Sequence, residues 1–331
     1  MASTDPQLIT AAVALRNTTE TSVTSLILDV LAPAVGAVLG ILLNTFIVAV
    51  NAAGWVRRCP LNSCDLILAC LGSVRALLQM LNLLPVVAYY CPACISSRRP
   101  VILSISVLQI FFSHSSFWFT AWLYIFYCAR IANLRQPAFQ RLKAHIQQWV
   151  PWLLLGSIPI SFVCTVPTLW LLQQFDQACA GNVTPAGHST CHVAEKEVAA
   201  PVILFFLSYL PPFLLCCAAA VIIVASLYRH TRRMALSAGS FRGPSLQAHF
   251  SAIKSVAVFC SLYAFYFLAV ISYKLKTLLP LCAQTMLCPV ILTGFPTVHA
   301  LVLIFSNTKL HRAAAGFLLC KCKGERNLKG L

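Results

Sequence analysis

The chain has 331 residues, 59% of them hydrophobic and only 10% charged, with a mean hydropathy of +0.82. Soluble domains average about 45–50% apolar and about 25% charged residues, so one water-soluble core cannot hide this much apolar surface and a soluble enzyme is excluded. Twenty-four Lys and Arg against eight Asp and Glu give +16 at pH 7. The charges sit in short gaps between long apolar runs, which argues against a nucleic-acid-binding surface.

About twenty helical residues cross the hydrocarbon of a bilayer, and seven runs of that kind follow one another. Val30–Val50 is uncharged and Leu66–Tyr90 holds a single charge, Arg75. Val101–Ala129, Trp149–Leu172, Val198–Tyr228, Ser255–Tyr273 and Leu281–Thr308 contain no Asp, Glu, Lys or Arg. They are too long and too uniformly apolar for barrel strands, which alternate over about ten positions. The expected fold is therefore all-α: a polytopic seven-helix bundle over residues 30–308, between a short N-terminal segment, 1–29, and a basic tail, 309–331. No internal repeat and no soluble domain interrupts it.

The basic residues predict the orientation. With the C-terminus inside, seventeen Lys and Arg fall on the inner side and six on the outer, as the positive-inside rule requires. The N-terminus is then outside, and the sequons at Asn17 and Asn182 fall on the outer face, where glycans are added. The sixteen cysteines are scattered through apolar segments, where Cys acts as a small hydrophobe. The outer ones allow several pairings.

Arg75 is the most informative single residue. An Arg at a helix centre costs about 2.5–3.5 kcal/mol on the insertion scale, so it must turn inward and find partners. Asn44, and carbonyls freed near Pro296, are the candidates, and with His299 they make an expected hub joining spans one, two and seven. His114 in span three is expected to be a hydrogen-bonded packing residue, since no Cys/His spacing matches a metal site. No cofactor is expected. Proton relays need intramembrane acids, a transporter would show broken helices in two repeated halves, and no activated nucleophile or paired carboxylate suggests catalysis. Adjacent Pro211-Pro212 predicts a break in span five. The basic inner face is expected to meet anionic lipid and a cytoplasmic partner. Cys320 and Cys322 in the tail are palmitoylation candidates.

Several motifs resemble one family. Phe117-Trp118-Phe119-Thr120-Ala121-Trp122-Leu123-Tyr124-Ile125-Phe126-Tyr127, with Ala129-Arg130-Ile131-Ala132-Asn133, is similar to the third-span stretch of type 2 (bitter) taste receptors. Leu71-Gly72-Ser73-Val74-Arg75 looks like that family's "LAxSR", and Gly40-Ile41-Leu42-Leu43-Asn44 its "GxxGN" with Leu43 for the second Gly. Ser226-Leu227-Tyr228-Arg229-His230-Thr231, Pro244-Ser245-Leu246-Gln247-Ala248-His249 and Pro296-Thr297-Val298-His299-Ala300 resemble its fifth-, sixth- and seventh-span signatures. The Asp-Arg-Tyr and Asn-Pro-x-x-Tyr motifs of rhodopsin-like receptors are absent.

The resemblance implies a multi-pass plasma-membrane receptor for small bitter-type organic molecules that activates a gustducin-like heterotrimeric G protein and a calcium response. Another chemosensory receptor, of the pheromone type, is the nearer alternative, and a small-solute transporter the more distant. The resemblance places the ligand between outer spans three, five, six and seven, at Gln109, Phe112, Ser113, Phe117, Tyr263, Tyr266 and Pro289. Arg130, His230, Arg232, Lys254 and Lys309 are the candidates for facing the G protein.

Overall fold

A computed structural model of the chain describes residues 30–56, 62–90, 99–132, 134–181, 195–237, 257–258, 260–269 and 281–317. Every described element is a helix: α1 Ala32–Val56, α2 Ser63–Tyr90, α3 Arg99–Ile131, α4 Pro137–Gly181, α5 Glu195–Ser237, α6 Cys260–Ala269, α7 Leu281–Ser306 and α8 Thr308–Phe317. Lipid offers the backbone no hydrogen bonds, so each segment satisfies its own as a helix.

The ends of these helices follow from capping. Asn62 accepts from the Cys64 amide with its side-chain oxygen at 3.3 Å, and Asp65 lies in the first turn of α2, where a negative charge complements the helix dipole. Pro137 opens α4 at a position where its missing N–H costs nothing. Asn307 interrupts α7: its Oδ1 accepts from the amides of Lys309 at 3.0 Å and Leu310 at 3.3 Å, capping α8. The two helices meet at 96°.

Charged residues end an apolar run without ending a helix. α4 begins at Pro137, well before the apolar stretch at Trp149, and α5 continues through Arg229, Arg232 and Arg233. The break expected at Pro211-Pro212 is not seen, because residues 195–237 form one uninterrupted helix. Proline in a membrane helix frees backbone groups that neighbouring structure re-satisfies.

The bundle is apolar on its flanks and carries a set of polar side chains in its interior. Trp152, Leu207, Val221 and Phe265 are exposed on its flanks, whereas Asn44, Asn51, Arg75, Gln79, His114, Thr120 and His299 are buried. Ala32–Gly54, Ser63–Leu84, Pro137–Pro167 and Phe206–Arg229 are long and apolar enough to cross a membrane, and α7 with α8 makes a fifth, bent, candidate. α3 is more polar for a physical reason: it packs against α2, α4 and α5 and turns Ser115, Ser116, His114 and Thr120 into the interior. Trp122 joins it to α4 by donating to Ser157 Oγ at 2.8 Å. Two apolar cores flank α3. One gathers Phe117, Tyr124, Ile223, Tyr263 and Phe295; the other gathers Ile47, Leu71, Leu123, Val150 and Leu303.

Candidate functional site

Arg75 lies 1% exposed in the middle of the bundle. A guanidinium only donates, and its three nitrogens find three side chains. Nε donates to Ser116 Oγ at 2.9 Å and Nη2 to Thr120 Oγ1 at 3.1 Å. Nη1 donates to His299 Nδ1, which must therefore be the unprotonated nitrogen of a neutral ring. The Phe295 ring lies 5.8 Å from the guanidinium carbon and adds a cation–π contact. Asn44 is not among the partners: its Nδ2 donates to the Gly40 carbonyl of its own helix at 2.8 Å. The bond to α7 goes to the His299 side chain instead of a carbonyl near Pro296. The hub thus joins α2, α3 and α7, correcting the expected link through α1.

Outward from this hub the two sides of α3 differ. Toward α5, α6 and α7, Phe117 is 5% exposed and its ring centre lies 5.1 Å from Tyr209, 5.2 Å from Tyr263 and 5.3 Å from Tyr266. Tyr266 in turn meets Phe295 at 4.5 Å. Ser113 stands close to the hydroxyls of Tyr209 and Tyr266. So Ser113, Phe117, Tyr263 and Tyr266, four of the expected ligand residues, converge. Phe112 is half-buried, its ring edge-on to Phe111 at 5.4 Å. Gln109 turns the other way, donating from Nε2 to the Leu81 carbonyl at 3.2 Å and to Asn82 Oδ1 at 3.1 Å. The Pro289 side chain lies outside the described residues.

Two members of this cluster were not expected from the sequence. Tyr209 stands in an apolar run of α5 with no mark beyond its nearness to Pro211-Pro212, and Phe295 immediately precedes Pro296. His114 departs from expectation in another way. It is 1% exposed, its ring lies 4.2 Å from that of Tyr209, and neither ring nitrogen has a hydrogen-bond partner among the described residues. A packing histidine was expected to be satisfied, since leaving a buried polar group unpaired costs about 1–3 kcal/mol.

Where α7 meets α8, Lys309 Nζ pairs with Asp65 Oδ2 at 2.6 Å and donates to Asn51 Oδ1 at 3.2 Å. Its amine is thus engaged with α2 and α1, although the side chain is 41% exposed. Arg130, at the end of α3, and Arg232, on α5, are exposed, with Arg130 5.5 Å above the Phe126 ring. The His230 side chain, Lys254, Asn17, Asn182, Cys320 and Cys322 lie outside the described residues. Among those described, no group of three or more His, Cys, Asp or Glu is placed to hold a metal.

Comparison with known proteins adds a family. Residues 21–322 match the family model for Taste receptor protein (TAS2R). The chain is 30% identical over 295 residues to taste receptor type 2 member 40 of Gallus gallus, covering 85% of this chain and 91% of that one. It is 31% identical over 287 residues to member 39 of Homo sapiens, covering 83% and 81%. To member 41 of Gorilla gorilla gorilla it is 33% identical over 303 residues, covering 83% and 89%. The chain belongs to the type 2 taste receptor family: it is a multi-pass, seven-helix bitter taste receptor and not an enzyme.

Proposed function

With membership of that family as premise, we propose that this receptor binds its agonists beside the aromatic cluster of α3, α5, α6 and α7 and signals through a gustducin-like α subunit to calcium. The ligand residues are Ser113, Phe117, Tyr263 and Tyr266, with Gln109, Phe112 and Pro289 at their edge and Tyr209 and His114 added to them. The observation that carries this reading is His114, buried with both ring nitrogens unpartnered among the described residues. A bound molecule that offers a hydrogen bond there removes a standing cost of burial. Agonist binding shifts the bundle only by the difference in its affinity for two arrangements, and a side chain satisfied in one of them supplies such a difference.

Gln109 adds a chemical preference. A carbonyl only accepts, so its contact with the Leu81 carbonyl fixes the amide nitrogen there. Both of that nitrogen's hydrogens are then committed, to Leu81 and Asn82. What Gln109 has left is an acceptor oxygen, which suits agonists carrying an N–H or O–H.

The protein sits in the plasma membrane with its N-terminus outside. The seventeen basic residues of the inner side support this orientation. They also support contact with anionic lipid and a G-protein-facing surface that includes Arg130, His230, Arg232 and Lys254. In this orientation Asn17 and Asn182 are available for glycosylation and Cys320 and Cys322 for palmitoylation.

The test is intracellular calcium in cells expressing the chain with a gustducin-tailed promiscuous α subunit, against a panel of bitter compounds. A concentration-dependent, α-subunit-dependent response is expected. Gln109→Leu and Ser113→Ala should reorder the potencies of the active compounds at unchanged surface expression. Unchanged dose–response curves for both variants would remove the pocket assignment.

A further inference from the structure

The side of α3 that faces α2 carries an unbroken line of hydrogen bonds that the hub at Arg75 does not use. Gln109 Nε2 donates to Asn82 Oδ1 at 3.1 Å. Asn82 Nδ2 donates to Gln79 Oε1 at 3.1 Å. Gln79 Nε2 donates to the Thr293 carbonyl at 2.8 Å and to Thr297 Oγ1 at 3.2 Å. Thr297 Oγ1 donates to the Gly36 carbonyl at 2.7 Å. The line starts on α3, passes twice through α2, reaches α7 and ends on α1.

Its direction is fixed by chemistry. Leu81 and Thr293 present backbone carbonyls, which only accept, so the amides of Gln109 and Gln79 each have one permitted orientation. Those two orientations leave Asn82 only one way to bridge them, and the Gly36 carbonyl fixes the Thr297 hydroxyl. Every bond runs the same way, and bonds aligned in series in a low-dielectric interior polarise and strengthen one another. Gln79 is 0% exposed and Thr297 7%, so water does not compete for the central links.

The packing makes room for this line at one residue. A Cβ at Gly40 would lie 2.6 Å from Thr297 Oγ1 and 2.7 Å from Gln79 Nε2. Any side chain on α1 at that level would displace both members of the Gln79–Thr297 bond. Glycine here permits close approach of a backbone, and what approaches is the middle of the relay.

We propose that Gln109, Asn82, Gln79 and Thr297 form a one-way hydrogen-bond relay, with Gly40 as its clearance, that couples the outer half of α3 to the contact between α7 and α1. Gln79, Asn82 and Thr297 are positioning residues. They touch no ligand and act by transmitting a change at Gln109. The proposal rests on the pocket reading only for what Gln109 senses; the coupling itself is a property of the bundle.

The test is a thermal double-variant cycle on the full-length receptor in detergent, which needs neither agonist nor G protein. Gln109→Leu and Thr297→Val share no bond, so independent sites would shift the melting temperature additively. The relay predicts that the double variant melts no lower than the less stable single variant. In a Gln79→Leu background the two substitutions should then become additive and small. Where Gln79→Leu is not produced, Asn82→Leu breaks the same line. Gly40→Ala should reproduce the Gln79→Leu phenotype in the cycle, a result that loss of packing alone would not give. Additive shifts in the unaltered background, or coupling that survives Gln79→Leu and Asn82→Leu, would overturn the relay while leaving the receptor reading untouched. A silent compound panel alongside preserved coupling would do the reverse.

Discussion

The two faces of α3 solve the same problem in opposite ways. Toward α2 and α7 the polar side chains of α3, Gln109, Ser116 and Thr120, are engaged. Ser116 and Thr120 hold Arg75, and Gln109 is tied to Leu81 and Asn82. Toward α5 and α6 the polar groups are embedded among rings, and His114 has no hydrogen-bond partner among the described residues. A satisfied polar network specifies one arrangement and is costly to disturb. An unsatisfied group among aromatics leaves something for a visitor to supply. On the proposed pocket, scaffold and sensor are back to back on a single helix.

The largest effect should come from breaking the committed face at its centre. Arg75→Leu takes one donor from Ser116, Thr120 and His299 together, and hydrogen bonds to a charged group contribute about 1.5–3 kcal/mol each. Surface expression and detergent melting temperature should both fall sharply. Arg75→Lys should recover only part of the loss, because an ammonium cannot reproduce the three-way planar fork. A Leu variant that reaches the surface and melts like the unaltered receptor would end the contrast between the faces.

The opposite face should behave differently under a comparable substitution. His114→Phe removes two unpartnered nitrogens and retains a flat ring against Tyr209. The melting temperature is expected to hold or rise, by the equivalent of about 1–3 kcal/mol at most, while responses to panel agonists fall. A variant as damaged in stability as Arg75→Leu would mean that His114 belongs to the scaffold.

The smallest effect belongs to the end of the bundle where α7 meets α8. The Lys309–Asp65 pair is partly exposed, and such pairs contribute about 0–1 kcal/mol. Lys309→Gln should therefore shift the melting temperature only slightly, and the exchange Lys309→Asp with Asp65→Lys should restore it. A large fall in signalling from Lys309→Gln that the charge exchange does not restore would support Lys309 as part of the proposed G-protein-facing surface.

How much of this was legible in the sequence varied by residue. That Arg75 turns inward followed from the cost of a charge in lipid, and the helical runs followed from their length. Its partners did not follow. Asn44 lies on α1 as deeply buried as Arg75, but the rotation of its side chain toward Gly40 is a matter of local geometry. The extension of α4 back to Pro137 was hidden because apolarity measures contact with lipid and not helicity. Phe295 and Phe305 show why the aromatic cluster was only partly found. They stand on the same helix in the same kind of apolar context, yet one is 7% exposed and the other 69%. Only the positions of the neighbouring helices tell them apart.

The bend at Asn307 shapes the end of the bundle at which it lies. A helix that leaves α7 at 96° runs parallel to the membrane plane wherever α7 crosses it. At 1.5 Å per residue, the ten residues of Thr308–Phe317 carry the chain about 15 Å sideways. Phe317 at its far end is exposed, an apolar side chain suited to the edge of a membrane. α8 therefore extends the bundle sideways at this end and gives it a ledge that the other described helices do not provide.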